Sequence, residues 1–129
     1  MDPRVRLAKA LRNEAEDAFV IRNGGGRVTD DVVRSLVLCS GLLQVTEVAV
    51  LHHTDCRLQA FTNDEIALRT GVNIDFLAFS DPVASVLADV SRLKGCGLLP
   101  PEVNIWGGLY SVESHTVSVV VAPARRGAA

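Results

Sequence analysis

The chain has 129 residues and a mass of 13.8 kDa, which suits one domain at roughly 100–200 residues each. Hydrophobic residues make up 48%, enough for an ordinary core, which excludes a disordered chain. The 13 Lys and Arg against 15 Asp and Glu leave a formal charge of −2, so no basic surplus exists to hold nucleic acid by its phosphates.

The longest apolar runs, such as Val117–Ala122, are far too short to span a bilayer, so no membrane partner is expected. No N-terminal stretch has the charged-then-apolar layout of a signal peptide. A reducing, cytoplasmic setting is therefore expected. Cys39, Cys56 and Cys96 are an odd set without framework spacing, which argues against a disulfide scaffold.

Helix and strand signals alternate along the chain. Pro3 suits the first turn of a helix, over which Leu7, Ala8, Leu11 and Ala15 recur at helical spacing. Ala18–Arg22 is a short apolar run that reads as a strand, broken by Asn23-Gly24-Gly25-Gly26. Thr29 is an expected N-cap, with Asp30 and Asp31 where a helix dipole favours negative charge. The helix after it carries Val32, Val33, Leu36, Val37 and Leu43 on one side. Glu47–His53 is a second strand, apolar at nearly every position, as in a sheet covered on both faces.

Thr62-Asn63-Asp64-Glu65 has capping-box spacing, and Gly71 ends the short helix it starts. Ile74–Phe79 is ambiguous between strand and loop. Asp81-Pro82 opens another helix, with Val83, Val86, Leu87 and Val90 expected to face inward and Gly95 and Gly97 to close it. Val103–Val112 and Thr116–Val121 read as strands of a terminal hairpin. Residues 1–122 form the expected domain and 123–129 a flexible tail. The whole reads as α/β, a mainly parallel sheet flanked by helices with a C-terminal antiparallel edge.

Such sheets place their sites at the C-terminal ends of strands, here Asn23–Gly26 and His53–Cys56. His53-Thr54-Asp55-Cys56 offers an imidazole and a thiolate, both good zinc ligands, which converge if the chain turns at Thr54-Asp55. The plainer alternative is a buried histidine beside a small apolar cysteine. Cys39 and Cys96 read as packing or turn residues. His52 points away from His53 in a regular strand, and His115 falls in an exposed turn. Asn23–Gly26 permits close backbone approach to a ligand, or simply makes a tight turn. Asp2 and Arg4 are close enough to pair, which at an ordinary N-terminus is an exposed ion pair worth little.

Taken in order, these segments resemble the β-class carbonic anhydrases. Met1-Asp2-Pro3-Arg4 looks like the family's C-x-D-x-R motif without its cysteine. Phe19–Gly25 (FVIRNGG) resembles the strand and loop written I-R-N-A-G. Thr29–Leu43 is similar to the helix after it, and Glu47–Cys56 (EVAVLHHTDC) to the second metal motif. Gly107–Val112 (GGLYSV) is similar to a late strand read as R-G-Y-x-Y-D.

The resemblance implies one zinc held by Cys, His and Cys, with His53 and Cys56 as the second and third ligands. It implies hydration of carbon dioxide to bicarbonate by hydroxide formed at the metal. Asp2 would orient that hydroxide, and Arg4 would hold Asp2 ionised and in place. The backbone at Asn23, Gly24 and Gly25 would line the pocket. A homodimer or higher assembly is implied. Two rival readings are a carbonyl sulfide or carbon disulfide hydrolase on the same scaffold and a metal-poor, non-catalytic relative.

There are departures. The first zinc-ligating Cys would immediately precede Met1, and in the family fold that segment forms a central strand. The self-consistent core pattern favours a product that begins upstream over a degenerate short chain. Gly24 replaces the usual alanine. Arg57-Leu58 stands where Gly-Met is common, and Asn104-Ile105-Trp106 lacks the usual arginine before Gly107.

Overall fold

Local signals set most element boundaries in the computed structural model, which describes residues 1–11 and 17–127. The helices are α1 (Leu7–Ala10), α2 (Asp30–Leu42), α3 (Asn63–Thr70) and α4 (Pro82–Gly95). The strands are β1 (Glu47–His53), β2 (Asn104–Tyr110) and β3 (Val117–Arg125). Thr29 caps α2 through its side chain, which accepts the Val32 N–H. Thr62 and Glu65 form the full capping box on α3, and Gly71 ends it in the left-handed region at φ +71°. Asp81 caps α4 by accepting from the Val83 and Ala84 N–H groups.

The sheet order is β1-β2-β3. β1 pairs with β2 in parallel, from Glu47↔Asn104 to His53↔Tyr110. β2 pairs with β3 antiparallel, which supplies the expected antiparallel edge. The parallel pair needs a crossover, and α3 and α4 provide it. α4 packs on β2 through Val86 and Val90, and a Cβ on Gly107 would lie 2.5 Å from Val86 Cγ1. Only glycine lets the helix come this close. Leu93, Leu99, Val103 and Ile105 complete a core that excludes water almost entirely.

Several expectations need correction. Ala18–Arg22 is not a strand: among the described residues no ladder joins it to another segment. Extended backbone becomes a strand only when its N–H and C=O groups meet a partner. Across from this segment lies an edge of β1 that no described strand pairs with. The Thr46 carbonyl accepts from Asn104 and the Thr54 N–H donates to Tyr110, so even-numbered residues of β1 face β2. The odd ones, such as Ala49 and Leu51, turn their backbone groups the other way. A cleft of about 400 Å3 separates the two, with Val20, Arg22, Val48 and Val50 on its walls. Phe19, Val20 and Ile21 are exposed beside it.

Pro3 sits in a turn rather than a helix, and α1 is a single turn. Ala15 lies outside the described residues. On α4, Val83 and Leu87 are 41% and 47% exposed, whereas Ser85 and Asp89 are buried beside Val86 and Val90. The inward face is rotated because Arg27 and His52 wait beneath Asp89. Ile74–Phe79 is a loop, with Leu77 at φ +55°. Pro123–Arg125 belong to β3 rather than to a tail, since Arg125 pairs with Asn104. Proline is tolerated there because β3 is an edge strand.

Candidate active site

The chain leaves β1 at His53 and reverses at once. Asp55 adopts φ +54°, a conformation that Asp accepts more readily than most residues. Cys56 follows the turn, and both His53 and Cys56 are buried, at 8% exposure each. The Thr54 carbonyl can only accept, so His53 Nδ1, 2.7 Å away, carries the proton. The Nε2 lone pair is then open. It points toward Asp2, whose Oδ2 lies 3.8 Å away.

The hydrogen bonds to the Asp2 carboxylate come from Arg4. The Arg4 backbone N–H donates to Oδ1 at 2.8 Å, and its guanidinium donates to both carboxylate oxygens, closest at 2.8 Å. The side-chain bonds first, then the backbone bond, hold the Asp2 carboxyl well below the usual carboxylate range. Arg4 also reaches Asp55, donating to Oδ2 at 2.8 Å and to the carbonyl at 2.9 Å. Arg4 is thereby held well above its ordinary range by Asp2 and then Asp55. One guanidinium thus ties the Asp2 turn to the His53–Cys56 turn.

The glycine loop closes the site from the side. Gly25 and Gly26 have φ +78° and +65°. A Cβ on Gly25 would lie 2.5 Å from Leu58, and one on Gly26 would lie 2.7 Å from the Leu51 carbonyl oxygen. Gly24 faces open space. Asn23 donates through Nδ2 to the Arg27 carbonyl, while its buried Oδ1 has no partner among the described residues. The Asn23 carbonyl accepts the Met1 ammonium at 2.6 Å. Burial, then the neighbouring Arg22 charge, lowers the pKa of that amine. The opening of α2 carries Asp30 and Asp31, so an anion held by this helix N-terminus is disfavoured.

His52 leaves the other face of β1, as alternation requires. Its Nδ1 lies 2.6 Å from Ser85 Oγ and its Nε2 lies 3.1 Å from Asp89 Oδ2. Arg27 donates to both Asp89 oxygens, at 2.7 and 2.9 Å. Burial pushes the Asp89 carboxyl up, but bonds from His52, Arg27 and the Val28 N–H outweigh it and hold it well below the usual range. This cluster braces the strand end that presents His53.

The structure therefore brings together Asp2, Arg4 and His53, with Asn23 joined to Met1 beside them, whereas no contact ties Cys56, Gly24 or Gly25 to that group among the described residues. Reasoning from sequence missed Asp55, Arg22 and Tyr110. Arg22 donates to the Asp2 and Val5 carbonyls, and the Tyr110 hydroxyl accepts the Arg6 N–H at 2.9 Å. The only local signal was the position of Asp55 inside the His-x-x-Cys turn. His115 is not a solvent-facing turn residue: it is half-buried, with Nδ1 2.6 Å from the Tyr110 hydroxyl.

Zinc chemistry suits the two donors at the strand end. His53 has its Nδ1 fixed on a backbone carbonyl, the arrangement that orients a metal-binding imidazole, and Cys56 is a buried free thiol. Among the described residues, no group of three or more His, Cys, Asp and Glu gathers to hold a metal ion. His53 and Cys56 are thus two residues of zinc-ligating type at one strand end.

No protein-family profile matches the chain. Carbon disulfide hydrolase of Saccharolobus solfataricus is 34% identical over 145 residues, spanning 89% of this chain and 71% of its own. β-Carbonic anhydrase 1 of Mycobacterium tuberculosis is 32% identical over 126 residues, spanning 93% and 77%. The crystal structure of carbonic anhydrase from Streptococcus mutans superposes with a TM-score of 0.86 at 43% identity, covering 93% of this chain and 76% of that one. Likeness in sequence and in fold agrees with the strand-end constellation, and the chain belongs to the β-carbonic anhydrase family.

Proposed function

We propose that this chain carries out the reversible hydration of carbon dioxide to bicarbonate, with zinc held in part by His53 and Cys56. The observation that carries the reading is the Asp2 carboxylate 3.8 Å from His53 Nε2, locked there by Arg4. When bound, zinc supplies a Lewis acid that makes water a nucleophile near neutral pH. The protein's share is orientation. His53 presents Nε2 because Nδ1 is committed to Thr54. Asp2, kept anionic by Arg4, can only accept a hydrogen bond, so it turns a water proton toward itself and a lone pair toward the substrate. Arg4 and Asp55 fix the distance between the two turns.

A second substrate class has its own support. The Saccharolobus relative acts, by its name, on carbon disulfide, so carbon disulfide is the rival substrate on the same residues. We further propose a homodimer or larger assembly in the cytoplasm. Leu38, Leu42, Leu43 and Leu98 are exposed apolar residues available to an interface, and the three cysteines are free, as a reducing compartment keeps them. No described helix is long and apolar enough to cross a membrane.

The test pairs zinc content with stopped-flow hydration of carbon dioxide, beside turnover of carbon disulfide. The expected result is zinc-dependent hydration that His53→Ala abolishes together with the metal. Full zinc and full hydration in His53→Ala would sink the assignment. Turnover of carbon disulfide alone would move the substrate to the rival.

A further inference from the structure

We propose that Tyr110 and His115 are positioning residues for Asp2 and Arg4. Tyr110 is fully buried at the C-terminal end of β2, where its hydroxyl needs polar partners. Three meet it. The Arg6 N–H donates to it at 2.9 Å, the Arg4 carbonyl lies 3.4 Å away, and His115 Nδ1 lies 2.6 Å away. The hydroxyl therefore grips the main chain on both sides of Val5. The Arg4 side chain grips Asp2 and Asp55. Main chain and guanidinium are fixed by different anchors, and Asp2 takes its place from both.

His115 orients the hydroxyl. It occupies the left-handed region at φ +57° in the turn between β2 and β3, an uncommon conformation for histidine. Its N–H donates to the Ser111 carbonyl at 2.8 Å, which shapes the turn around it. The imidazole meets the Tyr110 ring edge-on, with centroids 5.9 Å apart. A turn residue with no task gains nothing from this seat; one that aims a buried hydroxyl does.

The catalytic side of this inference rests on the proposed role of Asp2 and Arg4, whereas the anchoring side does not. The test uses the full chain with Tyr110→Phe, His115→Gly and His115→Asn. Glycine frees the left-handed backbone while deleting the imidazole, and asparagine accepts that backbone and keeps a polar atom near Nδ1. Hydrogen exchange is read by NMR at the Arg6 N–H and the Arg4 Nε–H. Tyr110→Phe and His115→Gly are expected to speed both about tenfold while the β1 and β2 amides keep their rates. His115→Asn is expected to restore them. Carbon dioxide hydration should lose about tenfold in kcat, with KM and zinc content held.

Unchanged exchange at both sites, or faster exchange spread evenly over β1 and β2, would overturn the proposal. Local loosening with kcat intact in a protein that hydrates carbon dioxide would overturn it as well. A wild-type chain that turns over no carbon dioxide defeats the proposed function instead, and the Arg4 and Arg6 signals then still decide whether Tyr110 anchors the segment.

Discussion

The two flanks of β1 are built by opposite means. On one flank, β2 and α4 pack against it so closely that Gly107 must lack a side chain, and Val86, Leu93 and Ile105 are 0% exposed. On the other flank, Met1–Val5 and Ala18–Asn23 are held by arginines and backbone carbonyls, with apolar side chains in the open. The first flank gets stability from burial and the second gets placement from charge. The candidate site lies at their seam, with His53 on the rigid strand and Asp2 on the tethered segment. Stability and function should therefore respond to different substitutions.

The sharpest break is expected at Asp89. Asp89→Ala leaves the Arg27 guanidinium buried without a counter-charge, at a cost of about 3–5 kcal/mol read by urea unfolding. Leu93→Ala, on the same flank, should cost about 2–5 kcal/mol by lost contacts and a cavity. Acid should act through the same carboxylate. The Asp89 pKa is depressed in the folded state, so the unfolded chain binds the proton more readily. Its contribution is complete above the ordinary value and fades as pH falls below about 4, which an acid titration followed by circular dichroism would trace. Arg4→Ala tests the other flank. Hydration should fall by about tenfold or more while the melting temperature barely moves. A large drop in melting temperature there would erase the contrast between the flanks. The smallest effect belongs to Phe19→Ser, 62% exposed at the wild-type side chain, which should change stability by no more than about 0.5 kcal/mol.

The same contrast separates what the sequence discloses from what it hides. Thr29, the Thr62–Glu65 box and Gly71 are legible because a cap is written within four residues. The hairpin strands and the His53–Cys56 turn are legible because alternation and spacing are local too. The inward face of α4 is not. Apolarity points to Val83 and Leu87, yet Ser85 and Asp89 lie inside because their partners, His52 and Arg27, come from 33 to 62 residues away. Ala18–Arg22 has the composition of a strand, but pairing depends on a neighbour that composition does not report. Asp2 and Arg4 gain meaning only through Asp55, 51 residues from Arg4, and through family resemblance. His115 looks like an idle turn residue until Tyr110 is seen beneath it.

The cleft beside β1 has a consequence for how the protein behaves in a tube. Among the described residues, two lengths of main chain there have donors and acceptors without main-chain partners, and three bulky apolar side chains stand next to them. Such an edge is a template on which like segments stack by main-chain bonding. Turbidity should climb faster than linearly with concentration, and a charge at position 20 should hold the solution clear.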